Sequence, residues 1–470
     1  MTLLDLPAEL APGRPPHPAV VRRLAALLDR FDLVASVDGA VVVTGCVRGT
    51  EVVAFATDAS VQGGALGGEG CRAIADATDL GVARGVPVVG VWQSGGARLR
   101  EGVAGLDGVA RTFAAQTRAS GRVPQISVVL GPAAGGAAYG PALTDVIVMG
   151  PAGRVFVTGP DIVRRVTGED VTSERLGGPA THTTRSGVAH LEAATDDEAL
   201  YTARRLVSLL GAQGVVDPYA ADGPDPGPLV PGEHRRSYDV RPVVRAILDP
   251  GTVVELQPLW ARNAVTALGR LGGRTVGVVA NDPSTLAGCL DADTGDKTGR
   301  FVQWCDSLGV PLLFLVDVPG YLPGLSQEDL GVVRRGAKLL HAYAAASVPR
   351  LTVVLRKSFG GAFIAMGSKG LGADHVFAWP GAQVDVMGAT AAVEVLHRRE
   401  LAGERDPRAR AALVGALAAH HEATTGGLAR ALATGAVDAI IEPADTRRVL
   451  LGALAALPDQ RGHRHANGPL

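Results

Sequence analysis

Cysteine is scarce in this chain: Cys46, Cys71, Cys289 and Cys305 are the four in 470 residues, and no two share a CxxC spacing. That excludes a zinc ribbon, and a chain of this size has no need of a disulfide framework. Net charge is nearly absent as well, at −2, so no nucleic acid and no membrane surface is expected as a partner. No apolar run reaches the roughly 18 residues of a membrane helix. The opening MTLLDLPAELAPGRPPHP lacks the basic start and long apolar stretch of a secretory signal, so a soluble, cytoplasmic protein is expected. Motifs for side-chain catalysis are also missing: there is no HExxH, no GxSxG and no GxGxxG between strand and helix. Thr294-Gly295-Asp296-Lys297-Thr298 glances at a P-loop but lacks its first glycine and its Gly-Lys pair. The histidines are dispersed. The pair His420-His421 and the tail His463-Arg464-His465 read as solvated, and no metal site is expected.

What the chain has in excess is glycine, 62 residues or roughly 13% against a typical ~7%. The glycines sit in short clusters between apolar runs, which marks tight turns and places where backbone must approach something closely. Hydrophobic residues make up 47%, enough for a full core, and the length suits two domains of about 200 residues. Residues 211–237 combine Pro, Gly and Asp with no periodic apolar face, as a linker does. The expected division is a tail at 1–14, a first domain at 15–212, a linker at 213–237, a second domain at 238–458 and a tail at 459–470.

The two halves resemble each other. In the first, GVPVVGVW (85–92) runs into Ser94-Gly95-Gly96, a helical stretch reaches Ser120, and VPQISVVL (123–130) runs into Gly135-Gly136. In the second, GVPLLFLVDV (309–318) runs into Pro319-Gly320, a helical stretch reaches Ser347, and VPRLTVVL (348–355) runs into Gly360-Gly361. Pro124 to Gly135 and Pro349 to Gly360 are both 11 positions. Each pair is followed by a helix-like segment and more strand, DVIVMGPAGRVFVTG against DHVFAWPGAQVDVMG. The chain is a tandem duplication of a strand–turn–helix–strand module. Short apolar strands alternating with helices predict an α/β fold with strands buried on both faces.

With side-chain catalysis unsupported, backbone chemistry remains. A Gly-Gly pair between strand and helix aims N–H groups into a pocket that no Cβ obstructs, where they can stabilise a developing oxyanion such as a thioester enolate. A single pair would equally serve close helix–strand packing. Two pairs at equivalent points of a duplication favour two oxyanion holes, one for each of two carbonyl-bearing partners.

At these residues a family resemblance appears. SGGARLREGVAGLDG (94–108), ASGRVPQISVVLGPAAGGAAYGPALTD (119–145) and TGPDIVRRVTGEDVTSERLGGPATHTTRSGVAH (158–190) resemble biotin-dependent acyl-CoA carboxylase carboxyltransferase (β) subunits. So do GCLDADTGDKTGRFVQWCDSLGVPLLFLVDVPGYLPG (288–324), VVRRGAKLLHAYAAASVPRLTVVLRKSFGGAF (332–363) and FAWPGAQVDVMGATAAVEVL (377–396). The short length and the HRHANGPL ending look most like actinobacterial acetyl/propionyl-CoA carboxylase β chains. The resemblance implies two tandem crotonase-like (ββα-superhelix) domains, the first holding acyl-CoA and the second carboxybiotin. It implies an active site shared between protomers of a dimer-built homo-oligomer, a hexamer. Carried across, the amides of Gly135 and Gly136 bind the thioester oxygen, and those of Gly361 and Ala362, beside Gly360, bind the biotin ureido carbonyl. Gly95, Gly96, Ala97, Arg98 and Ala134 would line the acyl-CoA side, and Phe363 the biotin side. The ureido nitrogen would then serve as the base that no side chain supplies. Without a Met-Lys-Met tripeptide, biotin would ride on a separate biotin carboxylase/biotin carboxyl carrier subunit.

The implied reaction carries CO2 from carboxybiotin to acetyl-CoA, with propionyl-CoA also accepted, for fatty-acid or polyketide supply. Acetyl-CoA is expected because Ile364 stands where propionyl-selective relatives carry Asp; the alternative is an Ile packed in a core. Alternative readings of the whole chain are a biotin-dependent acyl-CoA decarboxylase subunit and a non-catalytic scaffold. Phe359 and Phe363 replace tyrosines common in this loop, and only HPAVVRRLAALLDRF (17–31) remains of a longer N-terminal arm. Arg98 and Arg100 either meet CoA phosphates or are solvated. Lys357 is a ligand-anchor candidate, and His182 reads as a turn-stabilising hydrogen bonder.

Overall fold

In the computed structural model, residues 15–424, 426–458 and 465–468 are described. They fall into two compact units: 15–213 with 256–260 and 465–468, and 214–255 with 261–458.

The first unit is built on a twisted mixed sheet of eight strands. These are β1 (Arg30–Val37), β2 (Ala40–Val47), β3 (Thr50–Thr57), β4 (Val88–Ser94), β5 (Gln125–Ala134), β6 (Val146–Met149), β7 (Arg154–Phe156) and β8 (Leu191–Glu192). Their order is β1-β2-β3-β4-β5-β6-β8, with β7 pairing β5. The first three are antiparallel and the rest parallel. The second sheet comprises β9 (Val254–Leu256), β10 (Ala264–Leu271), β11 (Arg274–Asn281), β12 (Leu312–Val318), β13 (Arg350–Phe359), β14 (His375–Ala378), β15 (Gln383–Asp385) and β16 (Ala439–Ile440). It runs β9-β10-β11-β12-β13-β14-β16, with β15 pairing β13. Strand for strand this repeats the first sheet, so the duplication read from the Val-Pro spacings is one of three-dimensional modules.

The match extends to irregularities. The β4–β5 register slips between Trp92 and Ser94, and the β12–β13 register slips between Val316 and Val318. An irregularity there bends the strand end away from the ladder, and in both units it delivers the chain to a glycine turn. Each central strand is ten residues long and shared: β5 pairs β6 with its first half and β7 with its second, as β13 does with β14 and β15. All seven residues of β12, LLFLVDV, are buried, as a strand covered on both faces requires.

Close helix contacts use the glycines. A Cβ on Gly108 in the helix Val103–Ala119 would lie 3.1 Å from the Gly68 Cα of the helix Gly68–Arg84. In the second unit, Gly295 and Gly299 of the helix Ala292–Leu308 press on the backbone of Arg335 and Leu339 in the helix Val332–Ala345. The P-loop-like run is part of this packing. Asp291 and Thr294 form a capping box, and Lys297 is fully buried, donating to the carbonyls of Ala264 at 2.7 Å and Ala261 at 3.3 Å. No phosphate cradle exists there.

The expected linker is not free. From Gly214 onward it belongs to the second unit. Arg356, in a buried ion pair with Asp317 at 2.8 Å, donates to the carbonyls of Pro231, Glu233 and Arg236, and its guanidinium stacks on Tyr238. Proline and aspartate richness removed the periodic apolar face, but backbone carbonyls anchored by one arginine order the segment all the same. The expected C-terminal tail differs likewise. Its residues 465–468 pack on the first unit, where Asn467 is buried and exchanges hydrogen bonds with Ser120. His463 and Arg464 lie outside the described residues.

Candidate active site: two glycine turns

In the first unit, β4 ends at buried Ser94. Its hydroxyl donates to the Gly64 carbonyl at 2.7 Å and accepts the Gly96 amide at 3.2 Å, fixing the Ser94-Gly95-Gly96 turn. The Gly96 carbonyl accepts from Leu66, and the Leu66 carbonyl accepts from Arg98. Ala97 sits between these two bonds, so its own N–H faces the opposite side. Gly96 has φ +99°, and a Cβ there would stand 2.6 Å from the Ala134 carbonyl oxygen and 3.9 Å from the Gly136 nitrogen. Only glycine lets the first turn lie against the second.

The second turn follows Ala134. Gly135 has φ +57° and ψ −125° and precedes the helix Gly136–Ala142. Its N–H is already donated, to the Phe156 carbonyl at 3.1 Å. This corrects the expectation that Gly135 itself supplies a donor. The amides of Gly136 and Ala137, in the first helical turn, have no i−4 acceptor within the helix, and Gly96 brings the turn that carries Ala97 close to Gly136.

The second unit repeats this arrangement. Leu290 donates to the Gly320 carbonyl at 3.0 Å and accepts from Leu322 at 2.7 Å, so Tyr321 occupies the place of Ala97. Gly360, at φ +60°, stands for Gly135, and Gly361 and Ala362 carry the first-turn amides. The Tyr321 ring lies in a slot between Gly361 and Gly336, where a Cβ on either would meet it at 3.8 or 3.1 Å; burial raises its phenol pKa. Sequence reasoning missed Tyr321, although aligning the two turns residue by residue would have paired it with Ala97.

A cavity of about 490 Å³ opens beside Gly360 and Gly361, walled by Phe363, Ile364, Asp385 and Arg430 among others. Ile364 is 46% exposed, so it lines the cavity and is not packed in a core. Phe359 is buried and faces a neighbouring pocket.

The arginine reading changes. Arg98 is held by Asp38 and by Glu101 at 3.0 Å, and donates to the Ala65 carbonyl at 3.1 Å. Burial opposes its charge, but the hydrogen bonds and charges of the two carboxylates prevail and hold its pKa above the ordinary value. With those partners it braces the loop that carries Ala97; Arg100 is exposed. Lys357 is half-buried: burial lowers its ammonium pKa, opposed by Asp317. His182 Nε2 donates to the Val155 carbonyl at 2.7 Å and its Nδ1 pairs with the Ser186 hydroxyl at 2.8 Å, a brace on β7. His421, expected to be solvated, instead donates from Nε2 to Asp385 at 3.1 Å. Among the described residues there is no cluster of three or more His, Cys, Asp or Glu able to hold a metal, and no helix long and apolar enough to cross a membrane.

Two α/β modules repeat one glycine turn at the start of a helix, an arrangement whose backbone amides are able to stabilise an oxyanion. The carboxyl transferase domain family model matches residues 25–467, and the chain belongs to that family. It is 54% identical to the biotin-dependent acetyl-/propionyl-coenzyme A carboxylase beta6 subunit of Mycobacterium tuberculosis, over 92% of each chain. It is 52% identical to the propionyl-CoA carboxylase beta chain of Rhodococcus erythropolis, over 92% of this chain and 91% of that one. Its structure superposes on the transcarboxylase 12S crystal structure, a hexamer with methylmalonyl-coenzyme A bound, with a TM-score of 0.89 and 39% identity, covering 96% and 92% of the two chains. The protein is a carboxyltransferase of the acetyl/propionyl-CoA carboxylase type.

Proposed function

We propose that this chain transfers the carboxyl group of carboxybiotin, carried on a separate subunit, to the α-carbon of acetyl-CoA, and also turns over propionyl-CoA. The observation that carries this is the repeated turn with a first-turn amide unclaimed by its helix, at Gly136 in one unit and Gly361 in the other. The Gly136 and Ala97 amides hold the thioester oxygen as negative charge develops on it, which lowers the cost of removing the α-proton. The Gly361 and Ala362 amides receive a ureido carbonyl in the cavity beside them, where the absence of a Cβ at Gly360 and Gly361 leaves room for a planar ring. Carboxybiotin, when bound, supplies the CO2 and the basic nitrogen. The chain's own part is to position two carbonyls and exclude water. Assembly as a hexamer with a biotin-bearing partner fits this division of labour.

Acetyl-CoA is proposed because Ile364 stands where propionyl-selective relatives carry Asp; one methylene is worth only ~1–3 kcal/mol, so propionyl-CoA is not rejected. Reconstitution with a carboxylated biotin carrier and both acyl-CoAs, monitoring malonyl- and methylmalonyl-CoA, tests the reading. An acetyl kcat/KM below about a tenth of the propionyl value would overturn the substrate assignment, and no product from either would overturn the activity.

A further inference from the structure

The two glycine turns share a backbone but differ in what stands behind them. In the first unit the last residue of β7, paired with Ala134, is Phe156. At the same place in the second unit, the last residue of β15, paired with Phe359, is Asp385. Its carboxylate accepts the Val386 amide at 2.6 Å and the His421 Nε2–H at 3.1 Å. The two side chains are 12% and 11% exposed. A Cβ on Gly426 would collide with the same carboxylate oxygen, so the chain has been kept bare there to let the pair form.

A partly buried carboxylate carries a desolvation cost that a phenylalanine does not. The first unit shows that this fold needs no charge at the position. The carboxylate is also a wall of the cavity next to Gly360 and Gly361, and among the lining residues it is the only carboxylate. The others are glycines, apolar side chains, Arg430 and Thr434, whose hydroxyl donates to its own helix. Resting on the assignment of the second unit to the carboxyl donor, we infer that Asp385 binds that donor: it accepts the ring N–H of a cyclic urea whose carbonyl is held by Gly361 and Ala362. An N–H taken into an apolar cavity needs an acceptor, and Asp385 is placed to be one. His421 is a positioning residue that keeps the carboxylate turned to the cavity. Acyl-CoA recognition, in the other unit, has no carboxylate at this place.

The test is the reverse half-reaction, which needs only this chain, malonyl-CoA and free biotin. The C–C bond to the malonyl carboxyl breaks, that carbon gains the proton released from the biotin nitrogen, the carboxyl forms a C–N bond there, and acetyl-CoA is read out. Asp385→Ala should raise the KM for biotin about tenfold and leave the KM for malonyl-CoA within about twofold. Asp385→Asn, which keeps an acceptor oxygen, should lie between wild type and Ala. His421→Gln, which keeps a donor, should restore most of what His421→Ala loses. A biotin KM unchanged in Asp385→Ala, or both KM values rising together, overturns the inference. If Asp385→Ala does not fold, Asp385→Asn is judged by the same two KM values. Gly361→Pro separates this from the underlying assignment: if it retains full activity the donor-side assignment itself fails. If it is inactive while the Asp385 variants bind biotin normally, only the role of Asp385 fails.

Discussion

Replacing Gly136 by proline removes the first of the amides that the turn presents at the start of its helix. Proline is well tolerated at the first helical position, because no intrahelical bond is lost there. The side effect is steric: a Cβ at 136 would stand 2.9 Å from Val109 Cγ1, and overpacking of that kind costs roughly 1–3 kcal/mol. The catalytic effect is separate, since loss of one oxyanion donor typically lowers kcat about 10²–10³-fold, or ~3–4 kcal/mol of transition-state stabilisation. The two are resolved by adding Val109→Ala, which opens the space. Gly136→Pro alone should lower both Tm and kcat. The double variant should recover Tm and remain about 10²–10³-fold slow, with the KM for acyl-CoA little changed. Malonyl-CoA formation from a carboxylated carrier, with calorimetry on the same samples, gives both numbers. A double variant within about tenfold of wild-type kcat would refute the assignment of the Gly136 amide to the oxyanion.

Gly96→Ala should lower activity and stability together, because its Cβ would meet the Ala134 carbonyl at 2.6 Å from a φ of +99°; unaltered kcat would show that the two turns need not touch. Lys297 is fully buried, and desolvation pulls its ammonium pKa down to about 7 from 10.5. Between those values the unfolded chain binds the proton that the folded chain has released, so this group makes stability rise from about pH 7 towards 10. Lys297→Met should flatten that rise in urea titrations at pH 7 and 9.5; an unchanged slope would contradict it. Asn467→Ala removes a side chain donating to Asp145 Oδ1 at 3.3 Å from a buried position. It should cost ~1–2 kcal/mol and a few degrees of Tm, and an unchanged melt would show that the docked C-terminal residues add nothing to stability.

Much of the fold was legible because it is written in periodicities. Val-Pro before a short apolar run, then a glycine pair at a fixed distance, encodes a buried parallel strand feeding a turn, and its repetition revealed the second sheet. Tyr321, Asp385 and His421 were not legible in that way. Their significance depends on strand pairings between segments far apart in sequence, and no local pattern separates a histidine on an exposed helix face from one that meets a carboxylate. Arg98 shows the same limit from the other side: an arginine after a glycine turn looks like a phosphate ligand until Asp38, 60 positions earlier, is found beside it.

By itself the sequence determined the duplicated module, the family and the two turns. These follow from which residues are adjacent along the chain and from glycine's freedom from a Cβ. Only the tertiary structure decided which amide of the first turn is spoken for, because Gly135 gives its N–H to Phe156 across a pairing of β5 with β7. It also decided what stands behind each turn, Phe156 in one unit and Asp385 with His421 in the other. Hydrogen bonds and buried charge are satisfied by neighbours in space, and spatial neighbours are set by the packing of the whole unit.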